Sequence, residues 1–110
     1  MADQPVVMMA YVTAANREEA LKLATVLVEE RLAACANIIE GVTSLYWWQG
    51  EVQREAEVSL IVKTRAELIE ALKRRVCEIH SYTVPCVVAW PITAGNEAYL
   101  DWVRGETRDR

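Results

Sequence analysis

The chain has 110 residues, 53% hydrophobic and 25% charged, with four Trp, four Tyr, no Phe and a formal net charge of −4. One domain is the expectation at this length, and the apolar fraction with its mixed charge excludes a disordered chain. The longest apolar run, Val6 to Val12, is seven residues, far short of the roughly 18 that a membrane-spanning helix needs. Acidic Asp3 precedes it where a signal peptide carries a basic segment, so a cytoplasmic location is expected. Cys35, Cys77 and Cys86 are odd in number and contain no CxxC pair, which argues against a disulfide framework and a tetrahedral zinc site. The acidic balance argues against a nucleic-acid or membrane-surface partner, and the one basic cluster, Lys73-Arg74-Arg75, falls where cations complement a helix dipole.

Pro5 to Ala14 is rich in β-branched and apolar residues without a helical stripe and reads as a central strand buried on both faces. Asn16 caps the next segment, with Glu19 at the third helical position as in a capping box. Leu21, Ala24, Leu27, Val28 and Leu32 then repeat at helical spacing to about Ala34. Cys35 to Gly50 turns β-rich, with Gly41 marking a bulge or bend and Gln49-Gly50-Glu51 a turn. Val52 to Thr64 alternates: Val52, Ala56, Val58, Leu60 and Val62 share one face, and Gln53, Glu55, Glu57, Ser59 and Lys63 the other. Thr64-Arg65-Ala66-Glu67 reads as a second capping box, opening a helix whose stripe is Leu68, Ile69, Leu72, Val76 and Ile79 and which closes at His80-Ser81-Tyr82. Val84 to Ile92 is a fourth strand, placed at an edge by Pro85 and Pro91. Gly95-Asn96 leads into a short helix with Ala98, Leu100, Trp102 and Val103, and Arg104 to Arg110 is a polar tail expected to fray.

The order β-α-β-β-α-β plus a terminal helix is the split-βαβ, ferredoxin-like pattern: an α+β fold with a four-stranded antiparallel sheet and helices on one face. Its two central strands, about 13 to 16 residues each, extend over roughly 40 Å at about 3.3 Å per residue, beyond the reach of an 18-residue helix of about 27 Å. The distal hairpin nevertheless carries Leu45, Tyr46, Trp47, Trp48 and Val52. Burial of such side chains is worth several kcal/mol at about 25 cal/mol per Å², so these residues are the expected interface of a homo-oligomer. A mobile aromatic arm that binds a ligand is the competing reading.

Cys35-Ala36-Asn37-Ile38, Ser44-Leu45-Tyr46-Trp47-Trp48-Gln49-Gly50, Glu55, Glu57, Lys63-Thr64, His80-Ser81-Tyr82-Thr83-Val84-Pro85 and Tyr99-Leu100-Asp101-Trp102 together resemble the CutA divalent-cation-tolerance family. The resemblance covers nearly the whole chain. It implies a homotrimer built by edge-to-edge pairing of the hairpins and an architecture similar to PII-type signalling proteins. It further implies a role in tolerance to copper and other divalent metals, no catalytic reaction and no obligatory cofactor. In members with an assigned copper site, the ligands are a Cys in the first strand and two consecutive His; the matching positions here are Val12, Ile79 and His80, of which only His80 is a ligand. Where the family usually reads His-Pro-Tyr and, after the later proline, Glu, this chain has Ser81 and Cys86.

The chemistry-bearing residues leave alternatives open. His80, the only histidine, is a metal ligand or a helix C-terminal cap, and Cys35 is a soft ligand or a small buried hydrophobe. Met8 and Met9 point to opposite strand faces and cannot chelate together. One chain lacks a full soft-metal set, although three-fold symmetry would triplicate each ligand. Glu55 and Glu57, about 7 Å apart on one strand face, suit hard cations or acid–base work, or pair with Lys63. The candidate ligand site is an intersubunit cleft lined by Trp48, Glu57, Lys63, His80, Tyr82 and Trp102. Three function classes compete: a trimeric metal-tolerance or small-ligand sensor protein, an acylphosphatase-like enzyme, and an RNA-recognition module. The second lacks a Gly-rich loop with a phosphate-binding Arg at Thr13-Ala14-Ala15-Asn16, and the third lacks basic residues where Glu55 and Glu57 stand.

Overall fold

A computed structural model of the chain describes residues 4–108, so Asp3 and the last two tail residues lie outside the described residues. The elements are β1 (Val7–Ala14), α1 (Arg17–Glu29), β2 (Cys35–Trp48), β3 (Glu51–Arg65), a 3-10 turn (Ala66–Leu68) continuing into α2 (Ile69–Ile79), β4 (Val87–Pro91) and α3 (Glu97–Glu106). The four strands form one antiparallel sheet in the order β2-β3-β1-β4. Among the described residues, no helix is long and apolar enough to cross a membrane.

Strand alternation divides the sheet into two faces. Ala10, Val12 and Ala14 of β1 and Val58, Leu60 and Val62 of β3 are buried against Leu23 and Leu27 of α1 and Leu72 and Val76 of α2. The opposite face of β1 is only half-buried at Met9 and Tyr11, so this strand is central but not sealed on both sides. One end of that second face is covered by α3. Val7 packs on Leu100 and Val103, and the Tyr99 hydroxyl meets Cys35 Sγ at 3.3 Å. Helices therefore lie on both faces, correcting the expected one-sided arrangement.

Local corrections follow the same logic. Helix α1 stops at Glu29 rather than near Ala34, because Arg31 takes a left-handed φ of 59°. The Arg31 amide then donates to Val28 O and the Leu32 amide to Leu27 O, a Schellman closure without its usual glycine. Thr64 does not cap a helix: its hydroxyl donates to Leu32 O at 2.7 Å, and no side chain caps α2. Through Arg108 the tail is held rather than frayed, since Thr107 is buried, accepts from Arg65 Nε at 2.9 Å, and is followed by an Arg108 amide that donates to Arg31 O. Strand β4 begins at Val87, three residues late, because 80–86 forms an irregular loop.

The β2–β3 hairpin gives the molecule a long axis of 52 Å against 25 and 22 Å. No residue from Ala34 through Glu57 is buried. Gln49 (φ 50°) and Gly50 (φ 83°) both have positive φ, the two-residue turn whose twist matches a hairpin. Between Ile39↔Ser59 and Val42↔Glu57 the register slips, with Glu40 and Gly41 opposing Val58 alone. Gly41 has φ +84° and open space where a Cβ would stand, so Gly41→Ala is expected to cost about 1 kcal/mol or more through backbone strain alone. Equal midpoints for the two proteins in chemical denaturation would show that the bulge does not need glycine.

Candidate functional site

The bulge decides what the hairpin presents. Ahead of it, Cys35, Asn37 and Ile39 share the face of Lys63, Ile61 and Ser59; beyond it, Val42, Ser44, Tyr46 and Trp48 share the face of Glu57, Glu55, Gln53 and Glu51. One extra residue thus turns Tyr46 and Trp48 away from the face packed on α1 and α2 and onto the face that carries Glu57. Tyr11 and Thr13 extend the same face on β1, and the 81–86 loop folds over as a wall. The result is a cleft of about 640 Å³ in which Glu57 is the only charged lining side chain, faced by the rings of Tyr11, Tyr46, Trp48 and Tyr82.

Glu19 fixes that wall. Its Oε1 accepts from the Ala15 amide at 3.0 Å, its Oε2 from the Ser81 amide at 2.8 Å, and its own amide donates to Asn16 Oδ1 at 2.8 Å. The capping carboxylate expected from sequence therefore also ties the loop after α2 to the start of α1. Burial pushes its pKa up, but the hydrogen bonds from the Ala15 and Ser81 amides and the Ser81 side chain outweigh this and hold it below the usual carboxylate value. Sequence reasoning missed this second role, because nothing in the spacing of Glu19 and Ser81 shows that they meet.

His80 lies behind the cleft wall and does not line it. It is buried; Nδ1 accepts from the Tyr82 amide at 3.0 Å and Nε2 donates to Thr13 O at 2.7 Å, so both ring nitrogens are occupied in the neutral imidazole. Its ring stacks obliquely on Tyr82 at 4.6 Å, and Tyr82 donates to Glu57 Oε2 at 2.7 Å. Burial, then the hydrogen bond to Glu57, raises the Tyr82 phenol; burial and Glu57 raise the Cys86 thiol; burial, Glu55 and Glu57 raise Tyr46. At neutral pH these groups stay protonated and the lining carries the charge of Glu57 alone.

Of the expected cleft residues, one chain brings together Trp48, Glu57 and Tyr82. Lys63 sits six residues along β3 from Glu57, about 20 Å away, and does not pair with either glutamate; its Nζ donates to Asn37 Oδ1 at 2.6 Å. Trp102 stands at the same far end, 5.7 Å from the Tyr99 ring. Cys35 is paired there with Tyr99, whose hydroxyl is pushed up to about 12 by that contact and by burial. Cys35 is opposite Lys63 and Thr13 opposite Ser59, so Cys35 and His80 do not share a site within the chain. Among the described residues, no three His, Cys, Asp or Glu side chains come together to hold a metal ion. The donors present therefore do not fit a fixed copper site within one chain. Sequence analysis also passed over Tyr11, Thr13 and Ser44, which reach the cleft only through strand order and the bulge.

A four-stranded antiparallel sheet with three helices and an overlong hairpin is an α+β architecture shared with known relatives. The CutA1 divalent ion tolerance protein family matches residues 8–106. A divalent-cation tolerance protein CutA of Thermus thermophilus is 52% identical over 96 residues, 87% of this chain and 93% of that protein. The chloroplastic CutA 1 of Oryza sativa is 48% identical over 99 residues, 90% of this chain and 56% of that protein, so the chain spans little more than half of the plant relative. A crystal structure of CutA1 from Oryza sativa superposes with a TM-score of 0.94 at 45% identity, covering 96% and 97% of the two chains. The Thermus thermophilus structure gives 0.91 at 49% identity, covering 93% and 99%. The chain belongs to the CutA1 divalent ion tolerance family.

The Glu19 link makes stability pH-dependent in a defined direction. Its folded pKa is depressed below 4.5, so its contribution is complete well above that value and is lost as pH falls through the folded pKa. Glu19→Gln is expected to cost about 1 kcal/mol at pH 7 and to shrink the difference from wild type between about pH 5 and pH 3. Parallel denaturation curves that keep the same gap at both pH extremes would count against it.

Proposed function

We propose that the protein is a non-enzymatic, cytoplasmic homotrimer of one ferredoxin-like domain per chain that acts in the response to metal ions and binds copper or other divalent cations weakly. One observation carries the assembly. Beyond the end of the helices, Leu45, Trp47 and Val52 share one face of the hairpin at 66%, 74% and 57% exposure, an apolar strip of the kind that soluble proteins cover with a partner. The sheet order supports the ferredoxin-like reading, and the long free edge of β2 is suited to pairing with a second hairpin. The link to divalent cations rests on the names of the relatives, among which chloroplastic and periplasmic proteins also occur. Weak binding is the chemistry expected when the only imidazole is internally satisfied and the exposed donors are separate carboxylates.

A second reading, a PII-like trimeric sensor that takes a small ligand between subunits, is favoured by the size and aromatic lining of the cleft. An anion or nucleotide there would face Glu57, so its positive counterpart would have to come from a neighbouring chain, with Lys63 as the candidate.

Size-exclusion chromatography with light scattering at micromolar concentration is expected to give about three times the 12.4 kDa chain mass, and Trp47→Arg to shift it toward monomer. A wild-type monomer would sink the assembly. Calorimetric titration with copper is expected to give a dissociation constant of about micromolar or weaker, unchanged by His80→Ala provided that variant stays folded. A nanomolar site abolished by His80→Ala would refute the weak-binding reading.

A further inference from the structure

The cleft is built for one sign of charge. Glu57 uses Oε2 to accept from Tyr82, and no Lys, Arg or His ion pair to Glu57 occurs among the described residues. Among the described residues of one chain the carboxylate is met only by the Tyr82 hydroxyl, which leaves its second oxygen open to a cationic partner. Tyr82 touches it directly and the Tyr46 ring lies on the same face nearby, with Trp48 further toward the hairpin tip and Tyr11 toward the core; the faces of such rings carry the negative lobe of the aromatic quadrupole. A hard divalent ion asks for six to eight oxygen ligands, with carboxylates prominent among them, and here one carboxylate is present. The volume of about 640 Å³ is instead that of a small-molecule site, which typically runs from about 300 to 1,000 Å³.

We propose that this cleft binds a small organic ammonium ion, its cationic head paired with Glu57 beside the Tyr82 and Tyr46 rings. This rests on the reading of the cleft as a ligand site and names the ligand class. The attraction combines cation–π contacts with an ion pair in a partly desolvated setting, and the hydroxyls of Ser44 and Thr83 on the rim suit a polar substituent on the guest.

The test is calorimetric titration of the full chain with choline and, separately, with 3,3-dimethyl-1-butanol, its uncharged isostere. Choline is expected to bind saturably, at least about tenfold more tightly than the neutral alcohol, and Glu57→Gln to weaken choline about tenfold. Gln can still accept from Tyr82, so its oligomer mass and melting temperature should match wild type; Tyr46→Leu, on the exposed hairpin, provides a second variant that should also weaken choline. Equal binding of choline and the alcohol, or choline affinity unchanged in Glu57→Gln, overturns the proposal. If ATP binds and choline does not, the ammonium assignment fails while the ligand-site reading stands. If choline, the alcohol, ATP and copper all leave the titration flat, both fail.

Discussion

The slip of one residue between β2 and β3 governs the rest of the molecule. Side chains alternate along a strand, so inserting Glu40-Gly41 opposite Val58 exchanges the two faces of everything beyond it. Without the slip, Tyr46 and Trp48 would lie on the helix side, and Leu45 and Trp47 would crowd Glu57. With it, the apolar strip and the aromatic cleft fall on opposite faces of the same ribbon. An exposed apolar strip and an aromatic cleft are therefore built from neighbouring residues without competing for them.

The cleft wall depends on a second constraint. The loop after α2 has little regular structure, yet its backbone is satisfied in detail: the Ser81 amide by Glu19, the Tyr82 amide by His80, and His80 in turn by Thr13 O. The histidine that looks like a metal ligand from composition is a structural post in this arrangement. Coordination through Nδ1 would take the acceptor of the Tyr82 amide, and coordination through Nε2 would leave Thr13 O without its donor. A metal at His80 would thus have to undo the loop that holds Tyr82 against Glu57.

Element order, the hairpin and the helix-facing stripes were legible in the sequence, because periodicity in Val58-Leu60-Val62 and Leu68-Leu72-Val76 is strong and local. The helix end at Arg31 was not, since its left-handed φ falls on a residue that gives no local sign of it. Thr64 matched a capping box but spends its hydroxyl on Leu32 O, a long-range contact that outranks a local pattern. The tail looked polar and loose, yet Thr107 is buried by Arg65, a partner 42 residues away. Within the cleft, Trp48, Glu57 and Tyr82 could be named from sequence, whereas Tyr11, Thr13 and Ser44 follow only from sheet order and the bulge. Lys63 and Trp102 were grouped with them although strand length alone sets Lys63 about 20 Å from Glu57 in the same chain.

That separation bears on how assembly and ligand would be connected. The cleft and the apolar strip lie on opposite faces of the same hairpin, so in the proposed trimer a shift of the hairpin would be felt at both. Whatever binds the trimer better than the separated chain stabilises it by RT ln(1 + [L]/Kd), about 2.7 kcal/mol at a hundredfold excess over Kd. Occupancy of the cleft and cohesion of the hairpins would then be two sides of one equilibrium, each raising the other by the same factor. In the proposed trimer a ligand would be reported in this way through how firmly the subunits hold together.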